Sequence, residues 1–383
     1  MPPVPSNNKR ISAILSALLR QTDPLTRKSG QDEWLSASDI TNQIGDSSNR
    51  STIFRSLVEL FEANLIEAVG GTKSRKYRLA INSRAYLNWD LSRPKDQRQK
   101  VHYDPSLLDS YEPNKTRWIS QERARVLLEH GKAEFEIDEI AYRRVMNSLL
   151  IDLSYASSRL EDVSITWLDT KALIELGEMP EGLSDKELRI VMNHKDAIEY
   201  LISDRSNLDV KQLLVFELHK LLSDGLMGDP ADSGRLRKKM VKFDDSAYIP
   251  ITIPTVLDDE FRKFCKKAEV IENPFEQSVF ILAFMSYLQP FADANKRTSR
   301  LAMNIPLLKN SLAPYSFVHT NRQEYMFGLL AFYERGNSSF IVDAFESGYL
   351  RSAPKYVETL EFIQEGGVLN TLSPIGKEGG HRI

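Results

Sequence analysis

From Asn273 to Leu288 the chain is apolar on nearly every side of a helical wheel, and Pro290 follows almost at once. A helix that is hydrophobic all round has to be buried, so this one sits at the centre of a helical core. The proline stops it. Phe291-Ala292-Asp293-Ala294-Asn295-Lys296-Arg297 then reads as a short loop. A second helix is expected to start near Thr298 and to run through Leu301, Ala302 and Ile305 to about Asn310. The loop therefore sits at a helix N-terminus, where unpaired N–H groups and the helix dipole favour an anion. Lys296 and Arg297 add positive charge and Arg300 lies one turn further on. Arginine suits bidentate contacts to phosphate. Asp293 beside this site is either a helix cap or a carboxylate that holds magnesium together with phosphates. The residues point to a phosphate site and leave the reaction open.

The rest of the chain sets limits around that core. At 383 residues, two or three domains are expected. One cysteine, Cys265, excludes an internal disulfide framework and a cysteine-based zinc site, and fits a cytoplasmic location. None of the six histidines has a partner at metal-ligand spacing. His102 and His130 read as surface or hydrogen-bonding residues. The start, MPPVPSNNKR, lacks the apolar segment of a signal peptide. No apolar run approaches the roughly 18 residues of a membrane span; the longest, Val279 to Leu288, is broken by Ser286. Residues 1–100 hold 16 Lys+Arg against 10 Asp+Glu, and the remainder 34 against 43. A basic front on an acidic body suggests two modules with different partners.

The front, about Lys9 to Ala80, shows three helical patterns and a hairpin. Ile11, Ile14, Leu15, Leu18 and Leu19 recur at helical spacing. Ser36 can cap a helix holding Ile40 and Ile44, which Gly45 ends. In the next helix Ile53, Leu57, Leu60 and Phe61 are expected to face inward together. Its start presents Ser47, Ser48, Asn49, Arg50, Ser51 and Thr52, with Arg55 one turn on, as a recognition helix does to a major groove. Gly70 and Gly71 permit a tight turn, and Lys73, Arg75, Lys76 and Arg78 could contact phosphates. This segment resembles a winged helix-turn-helix domain, which implies DNA binding. The same fold also serves for dimerisation and protein docking, and a basic hairpin can simply be solvated.

Gln289 to Arg300 as a whole reads QPFADANKRTSR. It is similar to the motif of the Fic family, His-Pro-Phe-x-Asp/Glu-Gly-Asn-Gly/Lys-Arg-x-x-Arg, with Gln289 in place of the histidine and Ala294 in place of the glycine. The flanks agree: VMNHKDAIEYL and FELHKLLSDGL resemble the family's preceding helices, and YEPNKTRWIS resembles a stretch ahead of its core. The likeness spans about residues 85–350. It implies a mainly α protein: an all-helical Fic core with a small β-hairpin flap, Val241 to Ile251, preceded by a winged-helix (α+β) domain. The divisions that follow are 1–80 for the winged helix, 81–140 for a connector and helical extension, 141–350 for the core and 351–383 for a tail. The helix SQERARVLLEHGK in the connector is expected to be capped by Ser120 and stopped by Gly131.

Fic proteins transfer AMP, or another phosphate-containing group, to a hydroxyl of a target protein. The resemblance implies ATP and Mg2+ as cofactors. Asp293 would hold the magnesium. Asn295 and the loop amides, among them those of Ala294 and Lys296, would hold the α-phosphate, with Arg297 on the β-phosphate and Arg300 on the γ-phosphate. The family's histidine is the general base, and Gln289 has no proton to take or give near neutral pH. A general base contributes about 10²–10⁴-fold, so losing one need not abolish activity. His194 and His319 are the alternatives, both more often structural. Ser157-Ser158-Arg159-Leu160-Glu161-Asp162 resembles the family's inhibitory helix, which implies that Glu161, with Ser157 one turn before it, pairs with Arg300. By spacing alone Ser157 and Glu161 are ordinary helix residues, and Asp162 departs from the family's Gly or Asn. Two readings stay open: a self-inhibited adenylyltransferase, and a DNA-binding regulator whose Fic fold senses a nucleotide or docks a partner. The expected partners are ATP or a related nucleotide, a target protein, DNA, and a second copy of the chain, with no membrane.

Overall fold

The computed structural model describes residues 9–22, 32–44, 50–71, 74–80, 84–135, 137–203, 208–243 and 245–367. The chain divides into two units, Met1–Gln99 and Lys100–Ile383. The division falls inside the stretch read as a connector.

The first unit opens with α1 (Lys9–Thr22), which buries Ile11, Ile14, Leu15 and Leu18. A short strand β1 (Leu35–Ser36) leads into α2 (Ala37–Ile44). Ser36 caps that helix. The Asp39 N–H donates to its Oγ at 3.2 Å and its own N–H donates to Asp39 Oδ2 at 3.0 Å, a reciprocal pair that satisfies two backbone donors. Then come α3 (Arg50–Glu62), β2 (Ile66–Val69), β3 (Lys76–Leu79) and α4 (Arg84–Leu91). The three strands form an antiparallel sheet in the order β1-β3-β2, with Ile66 opposite Leu79 and Val69 opposite Lys76. Gly70 makes the turn possible: its φ is +89°, and a Cβ there would lie 2.7 Å from the Ser74 carbonyl oxygen.

Two expectations for this unit are corrected. Ile53, Leu57 and Leu60 are buried, but Phe61 is not; it is exposed, with the Arg75 guanidinium 5.3 Å from its ring centre. Position 61 lies about 80° round the helix from position 53, off the buried stripe. The basic hairpin is also less free than its composition suggests. Lys76 pairs with Asp32 at 2.7 Å, and Arg78 pairs with Glu33 at 2.6 Å and Glu67 at 2.7 Å. Ser51 and Arg55 are exposed on α3 and Thr52 is half-buried. Ser47, Ser48, Asn49 and Lys73, and the side chain of Arg50, lie outside the described residues.

The second unit is helical. Its elements are β4 (Val101–His102), α5 (Pro105–Ser110), α6 (Gln121–Gly131), α7 (Glu139–Leu160), α8 (Trp167–Leu176), α9 (Asp185–Ser203), α10 (Gln212–Ser223), β5 (Tyr248–Ile249), α11 (Pro254–Glu269), α12 (Pro274–Leu288), α13 (Asn295–Ala302), α14 (Ile305–Lys309), α15 (Arg322–Arg335) and α16 (Ser339–Gln364). Every residue from Phe275 to Leu288 is buried, so α12 is the central helix that its sequence demands. Asn273 caps it, its Oδ1 accepting from the Phe275 and Glu276 N–H groups. Ser120 caps α6 in the same way.

The segment Tyr111 to Ile119 is fastened to the start of α12. Glu276, buried, accepts from the Tyr111 hydroxyl at 2.9 Å and from the Trp118 and Ile119 N–H groups. One carboxylate thus replaces the water that three donors, two of them buried, would otherwise need.

The flap is not a hairpin. Among the described residues of 241–251, only Tyr248–Ile249 is a strand, and it pairs in parallel with Val101–His102. The partner strand comes from far upstream, so no local turn signal could have announced it. At the other end α16 runs to Gln364, past residue 351, because Tyr356, Leu360 and Ile363 remain buried at helical spacing. No described helix is long and apolar enough to cross a membrane.

Candidate functional site

The site begins where α12 stops. Gln289 is its C-cap, in the left-handed conformation at φ 47°. Arg237 holds this turn. It is buried, and it donates from Nε to the Gln289 carbonyl at 2.6 Å, from Nη2 to the Ile251 carbonyl at 2.6 Å and from Nη1 to the Lys239 carbonyl at 3.0 Å. Its own N–H donates to the Pro290 carbonyl. Three carbonyls satisfy one buried cation, and the 237–251 segment is fixed to the first residue of the loop. Burial pushes the Arg237 guanidinium below its usual range. Nothing in the basic run SGRLRKKMVKF singles this arginine out.

The loop is then closed by its own side chains. The Phe291 N–H donates to Asn295 Oδ1 at 2.8 Å, and Asn295 Nδ2 donates to the Phe291 carbonyl at 2.8 Å. His219 stacks on the Phe291 ring, 3.8 Å between centres and 9° from parallel. The Gly234 N–H donates to His219 Nδ1, so the ring proton is on Nε2, which donates to the Asp293 carbonyl at 3.1 Å. Burial pushes the His219 imidazole down to about 4, so it is neutral in this role. His219 could have been suspected from its place between Val215 and Leu222 on the buried face of α10.

Ala294 has φ 59°. This left-handed residue turns the chain into α13, which starts at Asn295, a turn earlier than expected. Lys296 and Arg297 therefore belong to the first helical turn, where the dipole reinforces their charge toward an anion. Two expected roles change. The Ala294 N–H is not available, because it donates to Asp293 Oδ1 at 2.6 Å. The Asn295 amide is committed to the loop, so an anion here would meet the loop's backbone rather than this side chain.

The loop lines a cavity of about 660 Å³. Gln289, Asp293, Ala294, Asn295 and Lys296 form one wall, and Glu161 reaches it. Met326, Phe327, Leu330 and Tyr333 of α15 form an apolar side. Gln289 Nε2 donates to the Ser286 carbonyl at 2.7 Å, which orients the amide. Its Oε1 has no hydrogen-bond partner among the described residues.

Arg297 and Arg300 lie behind the wall, 4% and 1% exposed. Arg297 Nη1 donates to the Leu222 carbonyl at 2.9 Å. Arg300 donates from Nε to Ser157 Oγ at 3.0 Å and from Nη2 to Glu161 Oε1 at 2.6 Å. Arg297 stands 3.8 Å from Glu161 Oε2. Burial favours the neutral form of Glu161, but Arg300 first and Arg297 next outweigh it and hold the carboxyl down at about 2. Glu161 caps α7, and the turn after it needs a left-handed residue: Asp162 has φ 64°. Aspartate tolerates that conformation at modest cost, as do glycine and asparagine.

The other described histidines do not reach the cavity. His194 is buried, with Nδ1 donating to the Ile190 carbonyl at 2.8 Å, and burial, then Arg297 and Arg300, push it down to about 3. His319 lines neither this cavity nor the one behind the Asp162 turn. His130 bonds the Val126 carbonyl and is exposed.

Residues 209–307 match the Fic/DOC family. The chain is 22% identical over 191 residues to the protein adenylyltransferase fic-1 of Caenorhabditis briggsae, a match that covers 48% of this chain and 37% of that protein. It is 25% identical over 191 residues to the protein adenylyltransferase Fic of Nematostella vectensis, covering 48% and 43%. The chain thus spans about two fifths of the length of these curated relatives. Among solved structures it is similar to Fic-1 (residues 134–508) from C. elegans, with a TM-score of 0.53 at 18% identity over 91% of this chain and 98% of that one. A Fic family protein from Desulfovibrio desulfuricans G20 gives a TM-score of 0.51 at 18% identity, covering 68% and 79%. The fold is that of Fic proteins, and the chain carries a Fic/DOC family domain over residues 209–307.

Proposed function

We propose that this chain binds ATP in the 660 Å³ cavity and is a protein adenylyltransferase held off by Glu161. The ion pair between Glu161 and Arg300 carries the reading. A buried arginine in an anion-binding helix is occupied by a carboxylate from another helix, at the edge of a cavity large enough for a nucleotide. The relatives named protein adenylyltransferases support the same class.

In this reading the first turn of α13 and Lys296 bind the phosphates. Arg297 keeps the site positive from behind, and Arg300 is added when Glu161 leaves it. The donor set fits magnesium. Asp293 is exposed to the cavity, with one oxygen taken by the Ala294 N–H and the other unengaged among the described residues. No described cluster of three His, Cys, Asp or Glu could hold a metal alone. A single carboxylate acting with substrate phosphates is the usual arrangement for magnesium, which would neutralise phosphate charge there. Gln289 Oε1 can accept a hydrogen bond from an incoming hydroxyl and align it, but it cannot remove the proton. Positioning and charge stabilisation are the larger contributions in phosphoryl-type transfer, so slow transfer is compatible with glutamine.

The test is transfer from ATP labelled on the α-phosphate by the chain, by Glu161→Gly, and by Glu161→Gly with Gln289→His. Label on protein from Glu161→Gly supports transfer with glutamine. Label only after histidine is restored supports a nucleotide-binding domain without its own chemistry. Absence of ATP binding by all three would overturn the reading.

The first unit carries a second reading, a winged helix that binds DNA. Ser51 and Arg55, four residues apart on α3 and both exposed, favour it. A gel shift that weakens steeply with salt is the expected result, and salt-insensitive or absent binding would point to protein docking.

A further inference from the structure

A second cavity, of about 360 Å³, lies behind the turn that carries Glu161. Its wall includes Arg159, Asp162, Ser164, Phe317 and Arg322. Arg159, Arg322 and Asp162 are the charged residues of its lining. Arg322 Nη2 pairs with Asp162 Oδ1 at 2.5 Å, with both side chains more than half exposed. The Arg159 guanidinium has no hydrogen-bond or ion-pair partner among the described residues. The lining therefore carries a net positive charge, two arginines against one aspartate, with Ser164 and Thr320 on the same wall. Such a set matches a compact phosphate group.

The same wall holds backbone strain. Asp162 and Phe317 both have left-handed backbones, at φ 64° and 62°. For a bulky residue such as Phe317 this conformation is a real outlier. Strain of this kind persists only where surrounding contacts over-determine it. At Asp162 those contacts are few: the pair with Arg322, and the N–H bonds of Glu161 to Ser158, Asp162 to Arg159 and Val163 to Ser158. Arg322 also lines the first cavity.

We infer that the second cavity binds a small phosphate-bearing anion between Arg159 and Arg322, and that binding there releases Glu161 from Arg300. The anion competes with Asp162 for Arg322. Asp162 then loses its one side-chain ion pair, leaving the three backbone bonds to hold the left-handed turn, and Glu161, the residue before it, is held less firmly. This rests on the reading of Glu161 as an inhibitor; the binding half stands without it.

Inorganic phosphate is the probe, titrated calorimetrically into the full chain, Arg159→Ala and Lys296→Ala. Hydrogen exchange is followed at the amides of Glu161, Asp162 and Val163. The expected result is a binding event that is about tenfold weaker in Arg159→Ala and that persists in Lys296→Ala, a variant whose own phosphate contact belongs to the first cavity. Exchange at the three amides should rise with phosphate in the full chain and not in Arg159→Ala. Binding lost in Lys296→Ala but kept in Arg159→Ala places phosphate in the first cavity and overturns the proposal, as does absence of binding. Arg159-dependent binding with unchanged exchange overturns the coupling. Arg159-dependent binding and exchange in a chain that fails to bind ATP upholds the second site and refutes only the nucleotide reading.

Discussion

Glu161 Oε1 accepts from Arg300 Nη2 at 2.6 Å, across 139 positions of the chain. Arg300 is 1% exposed, so the carboxylate balances a cation that water cannot reach. Glu161→Gln leaves that cation buried and uncompensated. The expected outcome is a loss of roughly 2–4 kcal/mol of stability, recovered in part when ATP is added. Urea unfolding with and without nucleotide checks both, and a variant as stable as the parent would remove the pair from the account.

Gln289→His in the Glu161→Gly background should raise AMP transfer by about 10²–10⁴-fold over Glu161→Gly alone, the usual range for a general base. The affinity for ATP should hardly change if Gln289 meets the incoming hydroxyl and not the phosphates, as proposed. A parallel change in affinity and rate would mean that Gln289 acts on nucleotide binding instead.

Ala294 has φ 59°, where a Cβ costs energy and glycine does not. Ala294→Gly should stabilise the chain by about 1 kcal/mol, seen as a higher melting temperature. The greater freedom of glycine in the unfolded chain opposes this gain by about 0.4–1 kcal/mol, while the Asn295 staple to Phe291 keeps the folded loop ordered. A lower melting temperature would show that this flexibility wins.

His219 contributes pH dependence with a definite sign. Its folded value is pushed below the ordinary one, to about 4 from 6.5, so the unfolded chain binds the proton first. The contribution is complete above about pH 6.5 and is lost as pH falls toward 4, by about 3 kcal/mol. Chemical denaturation between pH 7 and 4 reads the slope, and His219→Gln should flatten it. His194, pushed to about 3, acts in the same direction and extends the loss further down.

Arg237→Met removes three hydrogen bonds, to the Gln289, Lys239 and Ile251 carbonyls, the first and last of them buried. A loss of roughly 2–4 kcal/mol is expected, with the 237–251 segment loosened. Limited proteolysis should cut there first. Arg237→Lys should rescue little, because an ammonium cannot reach three carbonyls held in a planar fork.

What the sequence determined by itself was local. The apolar surround of Phe275–Leu288 obliged α12 to be central, the caps at Ser36 and Ser120 marked helix starts, and the loop's charges pointed to an anion. Each of these depends on residues within a few positions of one another. Tertiary structure decided the rest, because its partners are far apart in the chain. It left Phe61 outside, under Arg75, and gave β5 a partner at Val101–His102 instead of a hairpin neighbour. It spent the Asn295 amide and the Ala294 N–H inside the loop, and it drew Arg237 out of a basic run to bind three carbonyls. The pairing of Glu161 with Arg300 was implied only by resemblance, since a serine and a glutamate four apart are common on any helix. Packing α7 and α13 within the same unit brought the carboxylate to 2.6 Å of a buried guanidinium, where low solvent access makes the charge pairing count.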